Sequence, residues 1–183
     1  LKPLALTMGE PAGIGGELTI KAWKARESQA LPTFFAIDNI ARLKAIDPEL
    51  PIVEIQNPSE AQDVFQKALP VLNIDLPEKP MLGTLNPKNG QAVLESIERA
   101  VDFCMKGDAS GVVTNPIHKA ALYEIGFNHP GHTEYLAHLC GQNETPIMML
   151  VAKELKVVPL TVHIPIKDVP SAITKDLIIN RVR

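Results

Sequence analysis

Aromatic side chains are scarce: one Trp, two Tyr and five Phe make up 4% of the 183 residues. No run of Lys and Arg is interleaved with them, and the net charge is −3 with a pI near 6.0. A nucleic-acid binder needs cations for phosphates and flat rings for bases, so the sequence argues against that class. Long hydrophobic runs are missing too. The longest, Ile147–Ala152, is far below the roughly 20 residues that a bilayer span requires. The first residues, LKPLALTMGEP, lack the basic start, apolar segment and small-residue cleavage site of a signal peptide. Cysteine is limited to Cys104 and Cys140, on different predicted helices and without metal-ligand spacing. That usage fits reduced core residues better than a disulfide framework. With 45% apolar and 21% charged residues, the expectation is a soluble, acidic, cytoplasmic globular protein. The length allows one well-packed domain, or one domain and part of another.

Several catalytic signatures are also absent. There is no Gly-x-Ser-x-Gly elbow, no HExxH and no paired CxxC. The glycine-rich stretch Gly9–Glu17 (GEPAGIGGE) fails as a dinucleotide fingerprint, because counting from Gly13 and Gly15 puts Leu18 where the third glycine belongs. Gly16-Glu17-Leu18 likewise fails as a P-loop. A tight strand-to-helix turn is the favoured reading, although a glycine loop at a helix start also lets backbone approach a ligand.

Histidine is what the chain concentrates. His118, His129, His132 and His138, four of the five, fall between Gly111 and Leu139. Gly111–Thr114 reads as a short buried strand. Pro116 suits the first turn of a following helix and Gly126 its C-terminal end. His129-Pro130-Gly131 forms a turn, and His132-Thr133-Glu134 opens a second short helix with Thr133 as N-cap. Such a terminus attracts anions, and open α/β sheets place their ligands at these junctions. Pro130-Gly131 keeps His129 and His132 from aligning on one helix, which disfavours a zinc site built from this stretch alone. His138 reads as a surface residue, and Lys119 either pairs with an anion or is solvated. Ser110 has no catalytic partner in the sequence.

Elsewhere strands and helices alternate. Strands are expected at Leu4–Met8, Phe34–Asp38, Ile52–Ile55, Val71–Ile74, Ile147–Ala152 and Val157–Ile164. Helices are expected after the glycine loop, over Ile40–Ile46 capped by Asp38 or Asn39, over Gln91–Lys106 closed by Gly107, and over Val169–Arg183. The Gln91–Lys106 helix shows apolar Val93, Ile97, Val101 and Cys104 at helical spacing, opposite a solvated face of Glu95, Glu98, Arg99 and Asp102. The alternation argues for an α/β fold with a largely parallel sheet, mixed where the two late strands pair. His163, near the end of the last strand and on one face with Thr161, reads from spacing alone as a structural histidine sooner than a ligand. The final helix lacks a Gly or Asn stop and a polar tail, which leaves open whether the chain continues.

Four blocks carry a family resemblance: Thr7–Gly15 (TMGEPAGIG), Thr114–Lys119 (TNPIHK), Gly131–Glu134 (GHTE) and Thr161–Pro165 (TVHIP). In this order and spacing they resemble the 4-hydroxythreonine-4-phosphate dehydrogenase family over nearly the whole chain. Met8-Gly9 and Asn115 lie within the variation expected of the family. The resemblance implies an isocitrate/isopropylmalate dehydrogenase-like α/β fold, with a mixed, mostly parallel sheet flanked by helices and NAD bound without a Rossmann fingerprint. It implies NAD(P)-dependent oxidation of the 3-hydroxyl of 4-phosphohydroxy-L-threonine. Loss of carbon dioxide then gives 3-amino-2-oxopropyl phosphate, on the way to pyridoxal phosphate. By motif match, His132 and Thr133 would contact the phosphorylated amino-acid substrate. His163 would be one of three histidine ligands to a divalent metal (Zn, Mg or Co) at a homodimer interface. No residue is implied as general base.

The chain resembles only the first half, or somewhat more, of the family sequence. Residues 1–183 are thus expected to be the N-terminal part of a two-domain dehydrogenase, with an inter-domain boundary around residues 130–150. The other metal histidines and most of the NAD site would lie outside the chain, and a chain ending at Arg183 is expected to be inactive. Two rivals stand beside this reading. One is a paralogue oxidising another phosphorylated hydroxy acid, such as phosphothreonate or phosphoerythronate. The other is a non-catalytic α/β module that binds a phosphorylated metabolite.

Overall fold

The structure, a computed structural model, describes residues 1–141 and 146–182. The chain divides into two compact units, Leu1–Gly141 and Gln142–Arg183.

In the first unit the strands β1 (Leu4–Thr7), β2 (Phe34–Asp38), β3 (Ile52–Glu54), β4 (Leu69–Asn73) and β5 (Gly111–Val113) form one sheet. Their order is β3-β4-β2-β1-β5, and every pairing is parallel. A parallel sheet needs helices over both faces, which explains why the β2 run Phe34–Ile37 is apolar at every position and buried throughout. Alternation then sorts the side chains. Leu6, Phe34, Ala36 and Val71 pack with Ile20, Trp23 and Leu43 of helices α1 (Gly15–Lys24) and α2 (Ile40–Ile46). Ala5, Phe35, Ile37 and Leu72 pack on the opposite face with Ala92 and Ala100 of a later helix. A short helix α3 (Ala61–Val64) leads into β4.

That later helix, α4 (Gly90–Lys106), differs from its sequence reading in an informative way. Small residues Ala92, Ser96 and Ala100 face the sheet and let the helix approach closely. The apolar stripe with Val93 and Ile97 turns instead to Leu122, Phe127 and Tyr135, on or between helices α5 (Lys119–Tyr123) and α6 (His132–Leu139). So α4 is buried on two sides. Its polar face is not wholly solvated either. Glu95–Arg99 and Asp102–Lys106 are exposed i,i+4 pairs, but Glu98 accepts a 2.6 Å hydrogen bond from the Tyr135 hydroxyl. Gly107, at φ 76°, ends the helix as expected. Asn39 caps α2, its side chain accepting from the Arg42 N–H at 2.8 Å.

Two helix starts are shifted from expectation. The α5 helix begins at Lys119 and not at Pro116, because Asn115 and Pro116 are engaged with the loop after β1. The α6 helix has Gly131 as its N-cap, with no capping side chain. Thr133 lies inside the first turn, and the first helical bond runs from the Tyr135 N–H to the Gly131 carbonyl at 3.2 Å.

The second unit holds β6 (Leu150–Ala152), β7 (Leu155–Val157), α7 (Val169–Ala172) and α8 (Lys175–Val182). The late strands do pair, but as a separate antiparallel ribbon that turns at Lys153 (φ 51°), not as part of the main sheet. The expected strand Val157–Ile164 does not form. The pairing ends at Val157, just ahead of Pro159, which has no N–H to give a ladder. The expected terminal helix is broken at Ile173, whose backbone is extended, and Thr174 Oγ1 then accepts from the Leu177 N–H at 3.1 Å to restart it. Arg183, the end of that expected helix, lies outside the described residues. No helix among the described residues is long and apolar enough to cross a membrane.

Candidate functional site

Strand order reverses beside β1. The chain moves from β1 outward through β2 to β4 and β3, then crosses back to place β5 on the other side. The crevice beyond the carboxyl ends of β1 and β5 is therefore a topological switch point, where open α/β sheets bind ligands.

The two strand ends are tied together by an amide. Asn115 Nδ2 donates to the Thr7 carbonyl and to Thr19 Oγ1, each at 2.9 Å, and its backbone N–H donates to Thr7 Oγ1 at 3.2 Å. The Glu10 N–H reaches the Pro116 carbonyl at 2.8 Å. Glycine permits this contact. Gly9 has φ +69°, and a Cβ on it would lie 2.7 Å from the Pro116 oxygen and 2.8 Å from Asn115 Cβ. A Cβ on Gly15 would come within 2.5 Å of the Met8 carbonyl. These glycines are explained by packing, which agrees with the failed dinucleotide spacing.

The loop is held from both faces of the sheet. Arg42, at the start of α2, donates to Asp38 Oδ1 and Oδ2 at 3.0 and 2.6 Å, and to the Pro11 and Met8 carbonyls at 3.2 and 3.3 Å. Both side chains are buried. Burial pushes the Asp38 carboxyl up from its ordinary range, and the Arg42 guanidinium opposes that shift. From the other face, Ser96 accepts from the Met8 N–H at 2.9 Å and donates to the Ile37 carbonyl at 2.7 Å. Neither Arg42 nor Ser96 announces this role in the sequence. An Asp-x-x-x-Arg spacing across a strand–helix junction is the only trace of the first.

A cleft of about 380 Å³ opens over this loop, lined by Glu10, Gly13, Ile14, Leu85, Pro116 and His118, among others. A larger concavity of about 840 Å³ lies between α1, α2 and residues 75–82. Its buried cation, Arg42, is already spent on Asp38 and two carbonyls, and Lys79 shares the lining with Glu17, Asp75 and Glu78.

Cationic and unpaired groups gather at the start of α6. Lys119 Nζ and Glu134 Oε2 each lie 3.7 Å from where a Gly131 Cβ would be, so an ammonium and a carboxylate stand together beside the N-terminus of α6. His132 is half-buried, and its Nε2 is enclosed without a hydrogen-bond partner in the protein. Burial lowers the pKa of this imidazole from 6.5, so it is neutral at pH 7. Thr133 is exposed in the same first turn. A lysine cation, helix N–H groups and a hydroxyl are donors for an oxyanion, opposed there by the Glu134 carboxylate. His118 is exposed at the N-cap of α5, and His138 is exposed near the end of α6 as the sequence suggested.

His163 belongs to the second unit. It is exposed with φ 57°, in a turn and not at a strand end, so the expected alignment with Thr161 does not arise. Among the described residues there is no group of three or more His, Cys, Asp or Glu able to hold a metal ion. Cys104 and Cys140 are free and partly buried, and burial raises the Cys104 thiol pKa.

Known proteins agree with this architecture. The chain is 42% identical over 184 aligned positions to a 4-hydroxythreonine-4-phosphate dehydrogenase of Zymomonas mobilis, covering 100% of this chain and 55% of that protein. A namesake from Methylorubrum extorquens is 41% identical, covering 97% and 53%. The chain thus spans about half the length of the curated relatives it matches. A crystal structure of a 4-hydroxythreonine-4-phosphate dehydrogenase from Burkholderia phymatum superposes with a TM-score of 0.90 at 32% identity, over 100% of this chain and 56% of that one. A terephthalate 1,2-cis-dihydrodiol dehydrogenase from Burkholderia xenovorans shares the fold alone, with a TM-score of 0.69 at 20% identity. The fold is the expected α/β type with a mostly parallel sheet, isocitrate/isopropylmalate dehydrogenase-like. The family model described as pyridoxal phosphate biosynthetic protein PdxA matches residues 29–183, and the chain belongs to that family.

Proposed function

We propose that this chain is the N-terminal part of an NAD(P)- and divalent-metal-dependent dehydrogenase. Its reaction oxidises 4-phosphohydroxy-L-threonine, and decarboxylation follows to give 3-amino-2-oxopropyl phosphate in pyridoxal phosphate synthesis. The observation that supports this best is the group at the start of α6: Lys119 beside Gly131, the unpaired His132 Nε2 and the Thr133 hydroxyl. A phosphate is the substrate group that such donors would hold, and the family relatives are named for a phosphorylated substrate.

In this reading Lys119 and the first turn of α6 bind the phosphate by charge and by N–H donation, and Thr133 adds a hydroxyl. Neutral His132 adds no charge; with Nε2 enclosed, its contact with the substrate would fall to the other ring nitrogen. The Asn115 and Arg42 contacts fix the loop that floors the neighbouring cleft, which holds that cleft in one geometry before substrate arrives.

His163 is an exposed imidazole, a donor type suited to zinc or cobalt, but one imidazole does not make a metal site. We assign it as one donor of a site completed by residues outside this chain, in a cytoplasmic homodimer. A divalent ion there would polarise the substrate hydroxyl and stabilise the developing carbonyl. The nicotinamide contacts are assigned to the portion of the relatives that this chain does not span.

The test is NADH formation from 4-phosphohydroxy-L-threonine by the gene product that carries this sequence at the length of its relatives. Chelator-sensitive turnover is expected, lost in His163→Ala, with Lys119→Ala raising KM chiefly for the phosphorylated substrate. Residues 1–183 alone are expected to give no turnover. Chelator-insensitive activity, or robust activity of residues 1–183, contradicts the assignment.

A further inference from the structure

The histidines His129 and His138 have no part in the proposed reaction, yet the fold brings them together. Their ring centroids lie 5.0 Å apart with planes at 39°. His129 sits in the turn before α6 and His138 near the end of that helix, so the pair links the two ends of α6. The sequence conceals this pairing, because the residues are not at helical ligand spacing.

His129 is held in place by aromatic packing. Its ring lies 5.4 Å from Phe127 and 5.0 Å from Tyr135, and both of those are buried. Tyr135 is in turn fixed to Glu98 of α4 by its 2.6 Å hydrogen bond. His138 is exposed, so one ring is anchored and the other is free to adjust at the surface.

We propose that His129 and His138 form a two-imidazole site for a borderline divalent transition ion of the zinc, nickel or copper type. The spacing permits such an ion and the donor chemistry favours it, although His129 and Tyr135 reach the same 5.0 Å by packing alone. With metal–nitrogen distances of about 2.0–2.1 Å and a tetrahedral angle, two imidazoles on one ion have centroids about 5 Å apart. Neutral imidazole is a preferred ligand for these ions and a poor one for magnesium or calcium. No group of three or more His, Cys, Asp or Glu converges among the described residues, so the other coordination positions fall to water. An ion bridging these rings cross-links the 127–131 turn to the far end of α6. It thereby rigidifies the turn that precedes His132 and Thr133. This site is distinct from the one assigned to His163 and does not depend on that assignment.

The experiment titrates the 183-residue chain with zinc chloride, and separately with nickel chloride, by calorimetry. Histidine ring resonances are followed by NMR during the nickel titration. Saturable one-to-one binding is expected, with His129 and His138 broadening together. That binding should be lost in His138→Gln and in His129→Phe, and retained in His163→Ala. His138 is exposed, so its replacement leaves the packing intact, and His129→Phe keeps a ring against Phe127 and Tyr135. A far-UV spectrum checks each variant. Binding that survives His138→Gln, binding lost only in His163→Ala, or absence of saturable binding overturns the proposal.

Discussion

Phe34–Ile37 and Ile147–Ala152 are both uninterrupted apolar runs, and both read as strands. The first is buried at every position, whereas the second is exposed at every position, with Met148 at 44% and Val151 at 61%. The difference lies in what each run packs against. Phe34–Ile37 has α1 and α2 over one face and α4 over the other, so each side chain finds partners whichever way it points. Leu150–Ala152 pairs with one short strand of its own unit, and no described residue of that unit is buried. Chains of that size rarely build a core by themselves. Apolar composition thus sets a demand for burial, and only neighbouring elements can meet it.

The largest expected contrast is between two truncations. Phe35→Ala removes a fully buried ring and should cost about 3–5 kcal/mol in urea unfolding. Ile166→Ala, at 89% exposure, should stay within about 0.5 kcal/mol of the parent. Equal effects would break the comparison. Within the first unit, Arg42→Ala leaves Asp38 buried and uncompensated, and breaking such a pair costs about 3–5 kcal/mol. It should also loosen the Met8–Pro11 loop, visible as faster amide exchange there, while leaving exchange in residues 146–182 unchanged.

A smaller effect concerns pH. His132 has a folded pKa below its ordinary 6.5, so between the two values the unfolded state holds more protons. Stability contributed by the neutral ring is present above pH 6.5 and is lost as pH falls through the lower folded value. His132→Gln should flatten that acid-side loss relative to the parent. Identical profiles would show that His132 is not enclosed as described.

How far the sequence could be read follows the same division. Strands β1 to β5, the Asn39 cap and the Gly107 stop were legible because local pattern and tertiary context agree there. The family resemblance named His132 and Thr133, and the structure places Lys119 and Glu134 beside Gly131 just ahead of them. Other features were harder to read. The apolar stripe of α4 gave the right helix but the wrong neighbour, since small residues at 92, 96 and 100 carry no hydrophobic signal. The Arg42 and Ser96 anchors join residues far apart in sequence, and His129–His138 meet across a turn that no helical spacing describes. Val157–Ile164 reads as a strand because β-branched residues dominate it, although Pro159 inside the run was a legible signal that the pairing would end.

Hydrogen exchange across the whole 183-residue chain, read by peptide mass spectrometry, tests the central contrast most directly. Amides of β1, β2 and β4 should exchange only through opening of the first unit's core, while those of 150–157 exchange orders of magnitude faster. Protection of 150–157 equal to that of β2 would contradict the account, because it would require a core in the second unit that its described residues do not form.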